Sequence, residues 1–399
     1  MKYLTLIAAL AAPVMAFANP DPADWDAVTA KASGQTVYWN AWGGSTTTND
    51  FIAWVGERVV EDYGVVLEHV KLTDTADAVT RVLAEKQAGE NDDGAIDMIW
   101  INGSNFAAMK EADLLFGPFS EQLPNWAVVD SEGKTVQTDF TVPVEGYEAP
   151  WAMAQVVFVH NTATMPDILG SMDELLTWAQ ANPGRFSYPQ PPDFLGTTFL
   201  KQALVDILDD TSVLQMPATD DNYDDVTAPL WAYLDALTPN LWREGRAYPA
   251  TGTAMFPLIA DGELDLSISF SPGAASTAIA NFELPDTVRT FVLDKGTIGN
   301  ASFVAIPYNS GSAAGAMVVA NFLMSPEAQA RAQDPNILGY GTVLNMDALT
   351  DADRAAFDAL DLGIATLSPA ELGAVQAEPH PSWMTRIADD WVDRYGSGQ

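Results

Sequence analysis

Three short apolar stretches in the first hundred residues, each followed by a segment of helical period, limit the fold more than any other feature of the chain. Val37-Tyr38-Trp39-Asn40-Ala41-Trp42 is rich in β-branched and aromatic residues and reads as a strand. Gly43-Gly44-Ser45-Thr46-Thr47-Thr48-Asn49 follows as a turn and helix start. Phe51, Ile52, Val55 and Val59 then recur at helical spacing, and Gly64 is the stop. Val65–Leu72 is a second strand, and Thr75–Ala88 a second helix with Val79, Val82 and Leu83 on one face. Ile96–Ile101 is nearly all apolar, as a strand covered on both faces should be. Asn102-Gly103-Ser104-Asn105 opens a third helix. The order βαβαβ predicts a parallel sheet with right-handed crossovers.

Pro143–Pro150, rich in Pro, Gly and Glu, reads as a boundary, and Ala154–His160 as a strand leaving the first lobe. Ser171-Met172-Asp173-Glu174 is a capping box before a helix over Glu174–Ala181. Thr197–Leu208 is a helix with Phe199, Leu200, Leu204 and Ile207 inward. Leu264–Phe270 alternates apolar and polar residues and predicts a strand with one face buried. Ser302–Pro307 is another short strand, and helices dominate afterwards, over Ala313–Met324 and Thr350–Leu360.

The amino end carries Lys2, an apolar run over Leu4–Ala12 and the A-x-A site Ala16-Phe17-Ala18. That is the pattern of a secretory signal peptide over residues 1–18, and the run falls short of the ~20 residues that span a bilayer. No Cys follows to carry a lipid, so the mature protein is expected to be free in the periplasm.

Charge and composition exclude much. With 54 Asp+Glu against 18 Lys+Arg, the formal net charge is −36, which repels nucleic-acid phosphates and anionic lipid surfaces. The absence of Cys removes disulfides, thiol nucleophiles and Cys-ligated metal centres. A G-x-S-x-G elbow is missing; Ser271-Pro272-Gly273 lacks the preceding glycine. Neither H-E-x-x-H nor a G-x-x-x-x-G-K-[ST] loop occurs. His160 reads as a satisfied residue at a strand end, and His380, between two prolines, as a surface turn. Asp220, Asn222 and Asp224 match the first positions of a calcium loop, but Asp225 replaces its glycine and Trp231 its final glutamate. The run is read as a solvated acidic loop.

What remains is a binding pattern. In an open parallel sheet, ligands sit beyond the carboxyl ends of the strands, where helices begin. Three such turns are small and polar: Gly43–Asn49, Asn102–Asn105 and Gly196–Thr198. Trp42, Trp151, Phe194 and Phe270 fall near the same places, and Glu148 and Asp193 are the acids placed near the cleft. Aromatic faces attract cations, whereas helix-start N–H groups favour anions.

Several stretches together resemble the extracellular solute-binding family of ABC importers, which includes polyamine, thiamine and iron binders, and within it the YnjB-like branch. They are Trp39–Ser45, Val70–Val79, Ile99–Phe106 and Leu115-Phe116-Gly117-Pro118-Phe119, then Gly299-Asn300, Ala305-Ile306-Pro307-Tyr308 and Asn321–Ala328. The likeness covers essentially the whole mature chain. It implies an α/β, two-lobed periplasmic binding protein fold (type II), with parallel-type sheets flanked by helices and crossing hinge strands. Lobe 1 is expected over 34–149 and 274–307, and lobe 2 over 151–272 and 308–399. The resemblance implies capture of a small solute and its delivery to membrane permease subunits, and a monomer is expected. The aromatics near the cleft favour an organic cation such as a thiamine-like or polyamine-like compound, with an anion at the helix starts or a sugar stacked on tryptophan as the other readings. The expected ligand residues are Trp42, Gly44, Ser45, Asn102, Ser104, Asn105, Glu148, Trp151, Phe194, Thr197, Phe270 and Asn300. No cofactor, metal or catalytic residue is expected. The alternative is an exported hydrolase or lyase on the same architecture, which would need two acids on facing elements.

Overall fold

The computed structural model describes residues 19–396, so the expected leader lies outside the described residues. The chain opens with α1 (Trp25–Ala32), β1 (Thr36–Trp42), α2 (Thr46–Tyr63), β2 (Val66–Leu72), α3 (Ala76–Ala88), β3 (Met98–Ile101) and α4 (Ser104–Glu111). A hairpin of β4 (Thr138–Asp139) and β5 (Val142–Pro143) precedes β6 (Glu148–Gln155) and β7 (Val157–Asn161). Next come α5 (Met172–Ala181), α6 (Phe194–Ile207), α7 (Tyr223–Leu237), α8 (Met255–Ala260), β8 (Leu266–Ser269), α9 (Ala274–Ala280), β9 (Val288–Phe291) and β10 (Thr297–Ala305). The remainder is α10 (Ala313–Leu323), α11 (Pro326–Gln333), α12 (Asp351–Asp358), α13 (Pro369–Leu372), β11 (Val375–Gln376) and α14 (Pro381–Tyr395).

The early βαβαβ reading holds: β1 pairs in parallel with β2, from Thr36↔Val66 to Trp42↔Leu72, and with β3 at Trp39↔Met98. Gly64, in the left-handed region at φ 70°, ends α2 as its sequence position suggested. β10 then joins antiparallel to β3 and to β6, and its first residues pair with β11. The second sheet is β8-β7-β9, antiparallel throughout.

The strand β8 departs from the expected alternation, because both its faces are buried. Leu266 and Ile268 join the core of α6 and α14, while α8 and α9 bring Met255, Ile259, Ala275 and Ala278 over the other side of this sheet. Ser267 and Ser269 are small, and each hydroxyl finds a backbone carbonyl, at 3.4 and 3.0 Å, so burial leaves neither unbonded.

The expected lobe boundaries need correction. Residues 274–291 belong with the second lobe rather than the first, because β9 hydrogen-bonds β7 and α9 covers the same sheet. Conversely, α10 is apolar apart from Asn321 and buried at every position, so it is stable only when enclosed. It packs against α1, α2 and β1, and Ala313 to Phe357 contribute to the first core. α14 returns to the second core through Trp383, Ile387 and Trp391. β10 spans both lobes, with Ile298 in the second core and Ala301 and Phe303 in the first. At the β6–β7 step the Thr297 hydroxyl donates to Val156 O (2.6 Å) and accepts from Gln155 Nε2 (3.2 Å).

Candidate ligand site between the lobes

α6 supplies the second lobe's wall. Asp193 caps it, its carboxylate accepting from the N–H groups of Leu195 (3.0 Å) and Gly196 (3.2 Å). Gly196 is required there, since an added Cβ would lie 2.1 Å from Pro189 O. Leu200, Ala203 and Leu204 face the core, whereas Phe194, Thr197 and Lys201 recur at helical spacing on another stripe. Lys201 is fully buried, and its ammonium donates to Glu378 Oε2 at 2.6 Å. Glu378 Oε1 accepts from Asn300 Nδ2 at 3.0 Å. Burial pushes the Glu378 carboxyl up, and Lys201 and Asn300 oppose that. Gln202, one residue on, accepts from the Ile298 N–H at 2.7 Å and ties α6 to β10.

The first lobe answers with the β4–β5 hairpin. Its tip residue Phe140 has φ 53° and lies against Gly103, where a Cβ would come within 2.8 Å of the ring. Lys201 Nζ sits 4.4 Å from the Phe140 ring centroid, inside cation–π range, so this ring links the lobes. Next to it, Asp139 is fully buried. One oxygen accepts from the Gly103 N–H at the start of α4, while the neighbouring Asn102 Nδ2 donates to Ala301 O at 2.6 Å. The other oxygen has no hydrogen-bond partner among the described residues. Burial pushes this carboxyl up to about 8, with the Glu378 charge adding to the effect.

The expected residues divide between this centre and other roles. Asn102, Thr197 and Asn300 lie in it, and Phe194 joins it with its ring 5.5 Å from Lys201 Nζ. Phe270 packs on Phe194 at 5.5 Å. The Thr197 hydroxyl is buried without a partner among the described residues. Ser104 and Asn105 form the first turn of α4 and are partly exposed. Trp42 ends β1 half-buried, with its ring against Gly44; that contact accounts for the glycine. Ser45 caps α2, accepting from Thr48 N at 3.4 Å.

Two expectations fail. Trp151 is wholly enclosed among Trp39, Phe51, Trp100 and Tyr340, so it packs the first core and presents no face to a ligand. β6 is buried along this stretch, and a large ring there has nowhere else to go. Glu148 opposes Ala305, two positions beyond the Phe303↔Ile101 pair at the end of β3, so it lies inside the first lobe. Neither of its oxygens has a hydrogen-bond partner among the described residues, and burial beside Asp139 pushes it well above the usual carboxylate range. His160 is satisfied by Met165 O at 2.9 Å, as its strand-end position suggested. His380 does more than form a turn: it caps α14, accepting from Ser382 N.

Sequence reasoning missed Asp139, Phe140, Lys201 and Glu378. Only Lys201 left a signal, as a lone charge in the apolar stretch Phe199–Val205.

At the three polar turns the chain's own side chains take some of the N–H groups: Ser45 accepts one at the start of α2, Asp193 two at the start of α6, and Asp139 the Gly103 N–H just before α4. The centre therefore offers carboxylate and aromatic surface more than free N–H groups. Such a junction of two lobes on a crossing strand is a place for binding.

Residues 54–355 match the family model of bacterial extracellular solute-binding proteins. The chain belongs to this family. It is 42% identical to protein YnjB of Escherichia coli (strain K12) over 374 residues, 94% of each chain. Among solved structures it is similar to the periplasmic binding protein AfuA of Actinobacillus pleuropneumoniae, with fructose-6-phosphate bound (TM-score 0.63, 13% identity, 92% of this chain and 100% of that one). It is also similar to the spermidine/putrescine-binding protein PotD of Streptococcus pneumoniae (TM-score 0.60, 16% identity, 91% and 99%). These likenesses establish the two-lobed, type II periplasmic binding protein fold for this member of the family.

Proposed function

We propose that this solute-binding protein captures a small organic cation between its lobes and delivers it to the permease of an ABC importer. It works as a monomer in the periplasm after loss of residues 1–18, and it carries out no chemistry of its own. Structural neighbours named for a sugar phosphate and for polyamines share the fold, so the fold leaves the ligand open. The observation that carries the cation is local. Asp193 caps α6 and Asp139 takes the Gly103 N–H, and Asp139 still keeps a buried carboxylate oxygen without a partner among the described residues. A buried acceptor of that kind costs ~1–3 kcal/mol unless something meets it, and a cation meets it best.

The hydrolase reading is weaker on the same residues. Glu378, the acid on the lobe facing Asp139, already holds Lys201 and Asn300 and has no oxygen to spare for an acid–base step.

Thermal-shift screening against amines, vitamins, sugars, sugar phosphates and amino acids tests the proposal, because a ligand that binds only the folded state raises Tm. Stabilisation by an organic cation is expected. Stabilisation by sugar phosphates alone would remove the cation reading and leave the binding function standing. Small-angle scattering should show a more compact state with that ligand than without it, because closure turns on the crossing strands near Ala149–Gln155.

A further inference from the structure

Both oxygens of Glu378 are taken, Oε2 by the Lys201 ammonium at 2.6 Å and Oε1 by the Asn300 amide at 3.0 Å. Two aromatic faces flank that ammonium, Phe140 at 4.4 Å and Phe194 at 5.5 Å. A carboxylate with two rings is a complete receptor for a primary ammonium. Here the chain fills it with its own side chain, from a helix position where every neighbour from Gly196 to Asp206 is buried. Asp139, adjacent to Phe140, is equally buried but keeps one oxygen without a partner among the described residues.

We infer that Lys201 fixes the ligand's charge: it fills the second of two ammonium subsites, leaving one at Asp139 for a ligand with a single cationic centre. The inference rests on the cation reading above. A diamine gains nothing from its second charge at Glu378, which has no free oxygen and whose Lys201 repels a like charge brought beside it. Glu148, the other acid near Asp139, is enclosed on β6 within the first lobe, where burial disfavours its charged form. Lys201 is thus a specificity-determining residue that separates this protein from a binder of polyamines.

The test compares n-butylamine with putrescine, which have the same chain length and carry one and two charges, by calorimetry on the mature protein. Wild-type protein should bind the two within threefold of each other. Lys201→Met vacates Glu378 and should bind putrescine at least tenfold tighter than wild type does. Adding Glu378→Gln to that variant should abolish the gain. A folded Lys201→Met with unchanged putrescine affinity would overturn the inference. So would a tenfold preference of wild type for putrescine, a result that needs no variant to fold and leaves the cation reading intact. If wild type binds none of n-butylamine, putrescine, choline and thiamine, the cation reading itself is wrong and the inference falls with it.

Discussion

On the second lobe's wall of the cleft, Lys201, Glu378 and Asn300 satisfy one another, and all three are buried. On the first lobe's side, Asp139 keeps one oxygen without a hydrogen-bond partner among the described residues, and Glu148, enclosed in the same lobe, keeps both. The first arrangement is complete in itself: opposite charges in contact offset each other's desolvation. The second is relieved mainly by protonation, which is why both carboxyls are pushed up. A finished wall provides shape and steric selection. An unfinished one provides the free energy that a ligand can release.

The contrast can be broken most directly by neutralising one acid on each side. Glu378→Gln strands a buried ammonium and should destabilise the protein by ~3–5 kcal/mol, seen as a lower urea midpoint. Glu148→Gln removes a charge that burial already disfavours, and its urea midpoint should stay put or rise. Equal losses in the two variants would erase the distinction.

Asp139→Asn sharpens the comparison on the ligand side. It removes the anchoring charge without changing volume, and should weaken binding of a singly charged organic cation about tenfold or more, ~1.4 kcal/mol by calorimetry. Its folding stability should be little changed near neutral pH, since the wild-type carboxyl is protonated there.

The same proton gives a pH dependence. The Asp139 carboxyl sits at about 8 in the folded protein, against an ordinary 3.8, so the folded chain holds a proton that the unfolded chain has lost across that window. Folding stability from this group therefore falls as pH rises from about 4 to about 8. Cation binding requires the carboxylate, so affinity should rise with pH by up to about tenfold per unit and level off above pH ~8. Calorimetry in buffers of different ionisation enthalpy should find close to one proton released per cation bound at pH 7. In Asp139→Asn that release should vanish.

The smallest effect belongs to the surface. Asp220 is almost wholly exposed where it meets Arg386 at 3.2 Å, and Asp220→Ala should leave Tm and affinity unchanged. That null result would show that the responses above come from burial and not from general acidity.

The fold was legible where the pattern was periodic. Val37–Trp42, the helix closed by Gly64 and the apolar Ile96–Ile101 each appear in β1, α2 and β3 within a residue or two at either end. Periodicity also found α6, but it treats a lysine as a surface residue by default, and so it passed over Lys201. Asp139 and Phe140 lie on two-residue strands and their turn, and Glu378 on the connection before α14, which are too short to carry any period. These residues meet only because β10 brings the lobes together. Trp151 was misread for a related reason: a tryptophan near a lobe boundary looks the same in sequence whether it faces solvent or four other rings.

The discontinuity of the second lobe has a consequence for the order in which the protein can be completed. Its core closes on Trp383, Ile387 and Trp391, the last of these donating to the Tyr188 hydroxyl at 3.0 Å. A chain emerging amino end first has made α6 long before it makes Glu378 and α14. Until then the lobe lacks the rings that close its core and the acid that pairs with Lys201. Only the final stretch supplies the partner that makes that lysine a buried, paired cation, so the second lobe is completed by residues from the far end of the chain.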